Sequence, residues 1–164
     1  MFFLINFFCL PVIIMGTKKK LISIVSPAYN EEKNIFRLVD EVVTVMNSLS
    51  AKYDYEYILV DDGSSDGTWE EITKEAKKNK KIKGLSLSRN FGQQLAITAG
   101  LDQARGNAVI YCDSDLQHPP SLFPKLIEKW ERGVKVVHTM RVDSGDKRIT
   151  KKIFSGFFYI IANM

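Results

Sequence analysis

The stretch NAVIYCDSDLQHPP, residues 107–120, decides how the chain is read. Ala108 to Cys112 is an apolar run of strand length that delivers two carboxylates, Asp113 and Asp115, to the point where Pro119 and Pro120 open a new helix. If residues 113–115 stay extended, positions i and i+2 project to one side, and both carboxylates face one spot beyond the end of a buried strand. In open α/β sheets ligands bind there. Hard cations such as Mg2+ or Mn2+ take one or two carboxylates plus ligand phosphates, so the pair reads as a metal and diphosphate anchor. An isolated Asp-x-Asp is more often a solvated turn capping the next helix, so the surrounding chain has to separate the two readings.

On both sides of this strand, short apolar runs alternate with amphipathic segments. Strands are expected over 21–26 (LISIVS), 57–60, 82–87, 108–112 and 135–139, and helices over 31–49, 68–79, 93–104 and 122–131. In the first helix Ile35, Leu38, Val39, Val42, Val45, Met46 and Leu49 recur at helical spacing. Strands and helices alternating in this way predict an α/β domain over 21–146, a mostly parallel sheet flanked by helices on both faces. Right-handed crossovers bring the loops at Pro27, Asp61, Ser88 and Asp113 to one edge.

A chain of 164 residues is the size of one domain, and no internal repeat or linker interrupts it. A net charge of +4 is too mild to call for a nucleic-acid partner. The two cysteines, Cys9 and Cys112, make a disulfide framework improbable and suit a reducing cytosolic setting, with Cys112 a small buried hydrophobe. Residues 1–20 form an apolar leader, MFFLINFFCLPVIIMG, with a basic flank at Lys18 to Lys20. It is short for a span, carries Pro11, and lacks the charge order of a secretory signal, so it reads as membrane-associating or marginally spanning, or else as a start-site extension. If inserted, the lysines place the domain on the cytoplasmic side.

Each remaining strand-end loop carries polar chemistry. After the first strand, Asn30 is a good N-cap and Glu31-Glu32 suit a helix's first turn, while Tyr29 can flank a flat base and Glu31 can accept from sugar or base donors. Asp61 and Asp62 lie where a carboxylate takes ribose hydroxyls or a base N–H, and Gly63 permits a tight turn. Arg89 is a fixed cation suited to bidentate contact with phosphate. Neither GxGxxG nor GxxxxGK[ST] occurs, which disfavours a Rossmann dehydrogenase or a P-loop enzyme.

Together PAYNEE (27–32), VDDGSSDGT (60–68), SRNFGQQLAITAGLDQARG (88–106), DSDLQHPP (113–120) and VVHTMR (136–141) resemble the family 2 glycosyltransferases of the GT-A fold. The resemblance is greatest to their polyprenyl-phosphate sugar transferases, which include dolichol-phosphate mannose synthase and undecaprenyl-phosphate glucosyltransferases. It covers roughly residues 20–160, with Ser114 where such enzymes often carry alanine. The resemblance implies that Pro27, Tyr29, Glu31, Asp62 and Asp113 line the nucleotide-sugar pocket, with Asp61 and Arg89 beside it. It implies that Asp113, Asp115 and Gln117 hold a divalent ion, and that Arg141 faces the donor diphosphate or acceptor phosphate. Metal and arginine would stabilise charge on the departing nucleoside diphosphate, making Asp113, Asp115 and Arg141 the catalytic set.

The expected activity is metal-dependent, inverting transfer of a sugar from a nucleotide diphosphate, UDP-sugar over GDP-mannose, to a polyprenyl phosphate at the cytoplasmic membrane face. A lipid phosphate, with a second pKa near 6, needs no general base. A glycan hydroxyl acceptor would need one. His118 reads as a surface or supporting residue, His138 as structural, and Asp143 and Asp146 as weak base candidates. Residues 147–164 are basic and then aromatic, an interfacial amphipathic helix or one packed on the domain. The pattern is still helical at Met164, so the expectation is a catalytic core without its membrane-proximal continuation, with a nucleotide-sugar-binding module lacking turnover as the other reading.

Overall fold

The structure, a computed structural model, describes residues 19–117 and 119–139 and the backbone of 160–162. Its elements run β1 (Lys20–Ala28), α1 (Glu32–Ser48), β2 (Tyr53–Asp61), α2 (Thr68–Lys78), β3 (Ile82–Ser86), α3 (Gln93–Gln103), β4 (Ala108–Tyr111), a 3-10 turn (Pro120–Leu122), α4 (Phe123–Glu131) and β5 (Ile160–Ala162). The sheet order is β3-β2-β1-β4-β5. The first four strands are mutually parallel and β5 is antiparallel to β4.

The central strands are nearly continuous apolar runs because both faces are covered. Even-numbered β1 residues Ile22 and Ile24 join Tyr55, Tyr57 and Leu59 of β2 and Ala108 and Ile110 of β4 in the larger core, under α1 and α4. Val25, Ile58, Val60 and Val109 point to the other face, where α3 contributes Ala96. In α1, the buried residues Ile35, Leu38, Val39, Val42 and Met46 make the stripe that the periodicity predicted. The weakly amphipathic α3 packs by closeness instead: a Cβ added at Gly100 would lie 2.4 Å from Val25 Cγ1.

Two expectations are corrected. Residues 135–139 form no strand, and Val134 and Val136 are exposed. The pairing edge of β4 is taken instead by Ile160–Ala162, so the end of the expected 147–164 helix is strand, its register set by Ala108 opposite Ala162. A run of alternating valines carries strand propensity without specifying a partner, and edge pairing is decided by the fold. Residues 140–159 lie outside the described residues, with Arg141, Asp143 and Asp146 among them, as do residues 1–18 and His118.

A buried carboxylate secures the sheet's far end. Glu56 Oε1 accepts from Ser23 Oγ and the Arg105 amide, both at 2.6 Å, and Oε2 accepts from Lys83 Nζ at 2.6 Å. Burial pushes its pKa up, but Lys83, Ser23 and the Arg105 amide together hold it below its ordinary value. Glu56→Gln is expected to destabilise the fold by about 2 kcal/mol at neutral pH, measured by denaturant unfolding. A depressed native pKa gives stability that is complete above the ordinary value of 4.5 and fades as pH falls through the native value, so the difference from the parent protein should shrink in acid.

Candidate active site

The carboxyl ends of β1, β2 and β4 meet the start of α3 around an open cleft of about 440 Å3, within the usual range for small-ligand sites. It lies at the switch point between β1 and β4, where strand order reverses. Pro27 and Ala28 of β1 line it with Tyr29 and Glu31 just beyond, Asp62 after β2, Asn90 and Gly92 before α3 with Gln93 at its start, and Asp113, Ser114, Asp115 and Gln117 after β4.

The first two loops brace each other. Asn30 takes a positive φ of 56° and its Oδ1 accepts from the Ser65 amide at 2.9 Å, so it does not serve as the N-cap expected for α1. Glu31 occupies the cap position without a side-chain cap bond. The amides entering α1 are satisfied across the loops: Glu31 N–H donates to Thr68 Oγ1 at 2.8 Å and Glu32 N–H to Asp66 Oδ2 at 3.3 Å. Glu32 in turn accepts from the Gly67 amide at the start of α2. Two adjacent helix N-termini thus share their caps, which holds Tyr29 and Glu31 at the cleft.

The paired aspartates after β2 divide their work. Asp62 accepts from the Phe91 and Gly92 amides at 2.8 and 2.9 Å, fixing the loop before α3 while bordering the cleft. Asp61 accepts from the Ser64 amide and Ser86 Oγ, is 3% exposed, and lies outside the cleft lining. Arg89 also lies outside the lining, its guanidinium 4.6 Å from the Phe91 ring centroid.

The aspartates after β4 share the cleft, though not through strand alternation. The strand ends at Tyr111, the chain bends at residues 114–116, and Leu116 takes a φ of 60°. Ser114 Oγ donates to the Pro27 carbonyl at 2.6 Å, tying this turn to the end of β1. Asp115 Oδ1 accepts from the Gln117 amide at 3.0 Å. Asp113 Oδ1 accepts from Gln93 Nε2 at 2.7 Å and from the Tyr111 hydroxyl. Burial, then the hydrogen bond to Asp113, pushes the Tyr111 pKa up, so the phenol stays a donor. The Cys112 thiol is pushed up to about 12 by burial and then by Asp113, and remains an uncharged core residue. His138 is exposed and outside the cleft lining.

Sequence reasoning missed Asn90, Gly92, Gln93 and Tyr111. Tyr111 had a signal, since position i−2 from Asp113 shares its side, whereas Gln93 is placed only by the packing of α3 on β1 and β2. Among the described residues no group of three or more His, Cys, Asp or Glu side chains is arranged to hold a metal. Two carboxylates beside an amide and an open cleft nonetheless fit a hard cation that completes its shell with ligand phosphates.

The architecture is that of GT-A glycosyltransferases: the chain superposes on Mycobacterium tuberculosis glucosyl-3-phosphoglycerate synthase with a TM-score of 0.60 at 24% identity, over 77% of this chain and 45% of that one. The first 349 residues of Staphylococcus aureus TarS match at 0.55 and 26% identity, over 82% of this chain and 40% of that one. Residues 23–162 match the model of glycosyl transferase family 2, and the chain belongs to that family. It is 43% identical over 137 residues to an Aeromonas hydrophila undecaprenyl-phosphate 4-deoxy-4-formamido-L-arabinose transferase, covering 83% of this chain and 41% of that protein. It is 41% identical to an uncharacterized glycosyltransferase of Synechocystis, covering 84% of this chain and 43% of that protein. The chain thus spans about two fifths of the length of these curated relatives.

Proposed function

We propose that this domain binds a nucleotide diphosphate sugar, UDP-linked in preference to GDP-linked, and serves its inverting transfer to a polyprenyl phosphate at the cytoplasmic membrane face. The observation that carries the reading is the convergence of Asp113, Asp115 and Gln117 with Tyr29, Glu31 and Asp62 on one switch-point cleft. Support comes from the relative named as an undecaprenyl-phosphate sugar transferase, and from a 26% identical neighbour, glucosyl-3-phosphoglycerate synthase, solved with Mn2+ and UDP at a TM-score of 0.54.

In this reading Tyr29 flanks the base, Glu31 accepts from base or sugar donors, and Asp62 keeps the 88–92 loop against the ligand. Asp113, Asp115 and Gln117 hold Mg2+ or Mn2+, which when bound neutralises charge on the diphosphate. Arg141, outside the described residues, would add a second positive charge. The acceptor phosphate arrives ionised and needs positioning rather than deprotonation. Among the described residues no helix is long and apolar enough to cross a membrane.

The test is a thermal-shift panel of UDP, GDP and their sugars with and without Mn2+, followed by transfer assays on polyprenyl phosphate and on oligosaccharide. A rise in midpoint with UDP that requires Mn2+ is expected, because a ligand of the native state alone stabilises it. Product on oligosaccharide alone would replace the proposed acceptor. Metal-dependent binding with no product on either acceptor would leave a donor-binding module.

A further inference from the structure

Asp113 is held by its neighbours. The Tyr111 hydroxyl donates to Asp113 Oδ1, and Gln93 Nε2 donates both to that oxygen and, at 2.7 Å, to the Tyr111 hydroxyl oxygen. The phenol therefore uses its one proton on the carboxylate while accepting from the amide, and the three side chains close a small ring of hydrogen bonds. Tyr111 is 6% exposed at the end of β4, so its ring cannot swing away without disturbing the core. Gln93 is the first residue of α3, and the two residues before it are pinned by Asp62 through their amides. One arm of the ring thus comes from the sheet and the other from the loop that Asp62 secures.

We propose that Tyr111 and Gln93 are positioning residues that orient the Asp113 carboxylate for a divalent cation and tie its orientation to the loop before α3. The inference rests on Asp113 being a metal ligand. A carboxylate on a two-bond side chain turns readily about its terminal torsion, and two donors on one oxygen restrict that rotation. A ligand already oriented loses less freedom when the cation arrives, and groups that orient metal ligands typically contribute 10–100-fold in metal affinity or activity. Neither residue is proposed to touch the cation.

The experiment is Mn2+ binding to the purified protein with UDP present, followed by electron paramagnetic resonance of free Mn2+, for the parent protein, Tyr111→Phe, Gln93→Ala, the double variant of these two, and Asp113→Asn. Tyr111→Phe and Gln93→Ala are each expected to weaken Mn2+ binding about 10-fold. The double variant should lose less than the product of the single losses, because the two donors act in one ring. Gln93 is exposed at a helix start, so Gln93→Ala keeps the question open to measurement should Tyr111→Phe fail to fold. A purely structural role would lower the thermal midpoint and leave Mn2+ affinity of the folded protein unchanged. Unchanged affinity in both single variants overturns the positioning role. If Asp113→Asn also binds Mn2+ like the parent, or the parent binds none, it is the underlying reading of Asp113 as a ligand that falls.

Discussion

Asp115→Asn is expected to lower sugar transfer by a factor on the order of 10²–10³ while leaving the fold intact. Asp115 is exposed, and the one hydrogen bond described for its side chain is accepted from the Gln117 amide at 3.0 Å, which an Asn oxygen also accepts. The substitution therefore removes a negative charge at the cleft and little else. Its effect should be concentrated where that charge matters, in holding a dication against a diphosphate whose leaving oxygen gains charge in the transition state. The measurement is initial transfer rate against Mn2+ concentration, in the complete enzyme if further chain is required, with urea unfolding as the control for stability. A variant with parental metal-dependent UDP affinity and rate would remove Asp115 from the site.

The second large effect is structural. Gly63 sits at φ +66°, and a Cβ built there would lie 2.3 Å from the Arg89 carbonyl carbon and 2.6 Å from the Asn90 nitrogen. Two separate penalties then apply to Gly63→Ala. The left-handed backbone disfavours any L side chain by about 1–2 kcal/mol. The contact adds to this because its partner is backbone, held in place by the Asp62 bonds to the Phe91 and Gly92 amides. A total loss of about 3 kcal/mol or more is expected, within the range of severe single substitutions. Gly133 supplies the comparison, with φ +89° and nothing within 4 Å of an added Cβ, so Gly133→Ala should show the backbone penalty alone. Denaturant unfolding of both variants separates the two terms. Equal losses would mean that the 88–92 loop gives way, in which case Gly63→Ala should still weaken nucleotide binding, since Asn90 and Gly92 line the cleft.

These two residues also show how far the chain was readable as a string. Asp115 was legible because an apolar strand ended in a pair of carboxylates, and any chain that alternates strands and helices in this rhythm brings such endings to one edge. Gly63 was legible only as a turn glycine; that it must also be small because Arg89 passes against it is a contact between segments 26 residues apart. The same limit explains the doublet Asp61-Asp62. Two adjacent carboxylates look alike in sequence and are equally buried, yet Asp62 accepts two amides at the cleft and Asp61 accepts from Ser64 and Ser86 outside it, since neighbouring residues at a strand end face opposite ways.

Local pattern by itself determined the parallel α/β core: the amphipathic stripe of α1, the apolar strands β1 and β4, and the polar strand-end loops, while the glycosyltransferase family was legible only as a resemblance carried by the motifs in those loops. These depend on side-chain period and on turn chemistry, which neighbouring residues suffice to specify. Only tertiary structure decided that Ile160–Ala162, and not residues 135–139, pairs with β4, that Arg89 packs on Phe91 outside the cleft, and that Asn30 braces Ser65 in place of capping α1. It also decided that Asp113 is steadied by Tyr111 and by Gln93, which reaches it from 20 residues away along the chain. Hydrogen-bond partners across segments depend on which loops the sheet order brings together, and that order is a property of the whole fold.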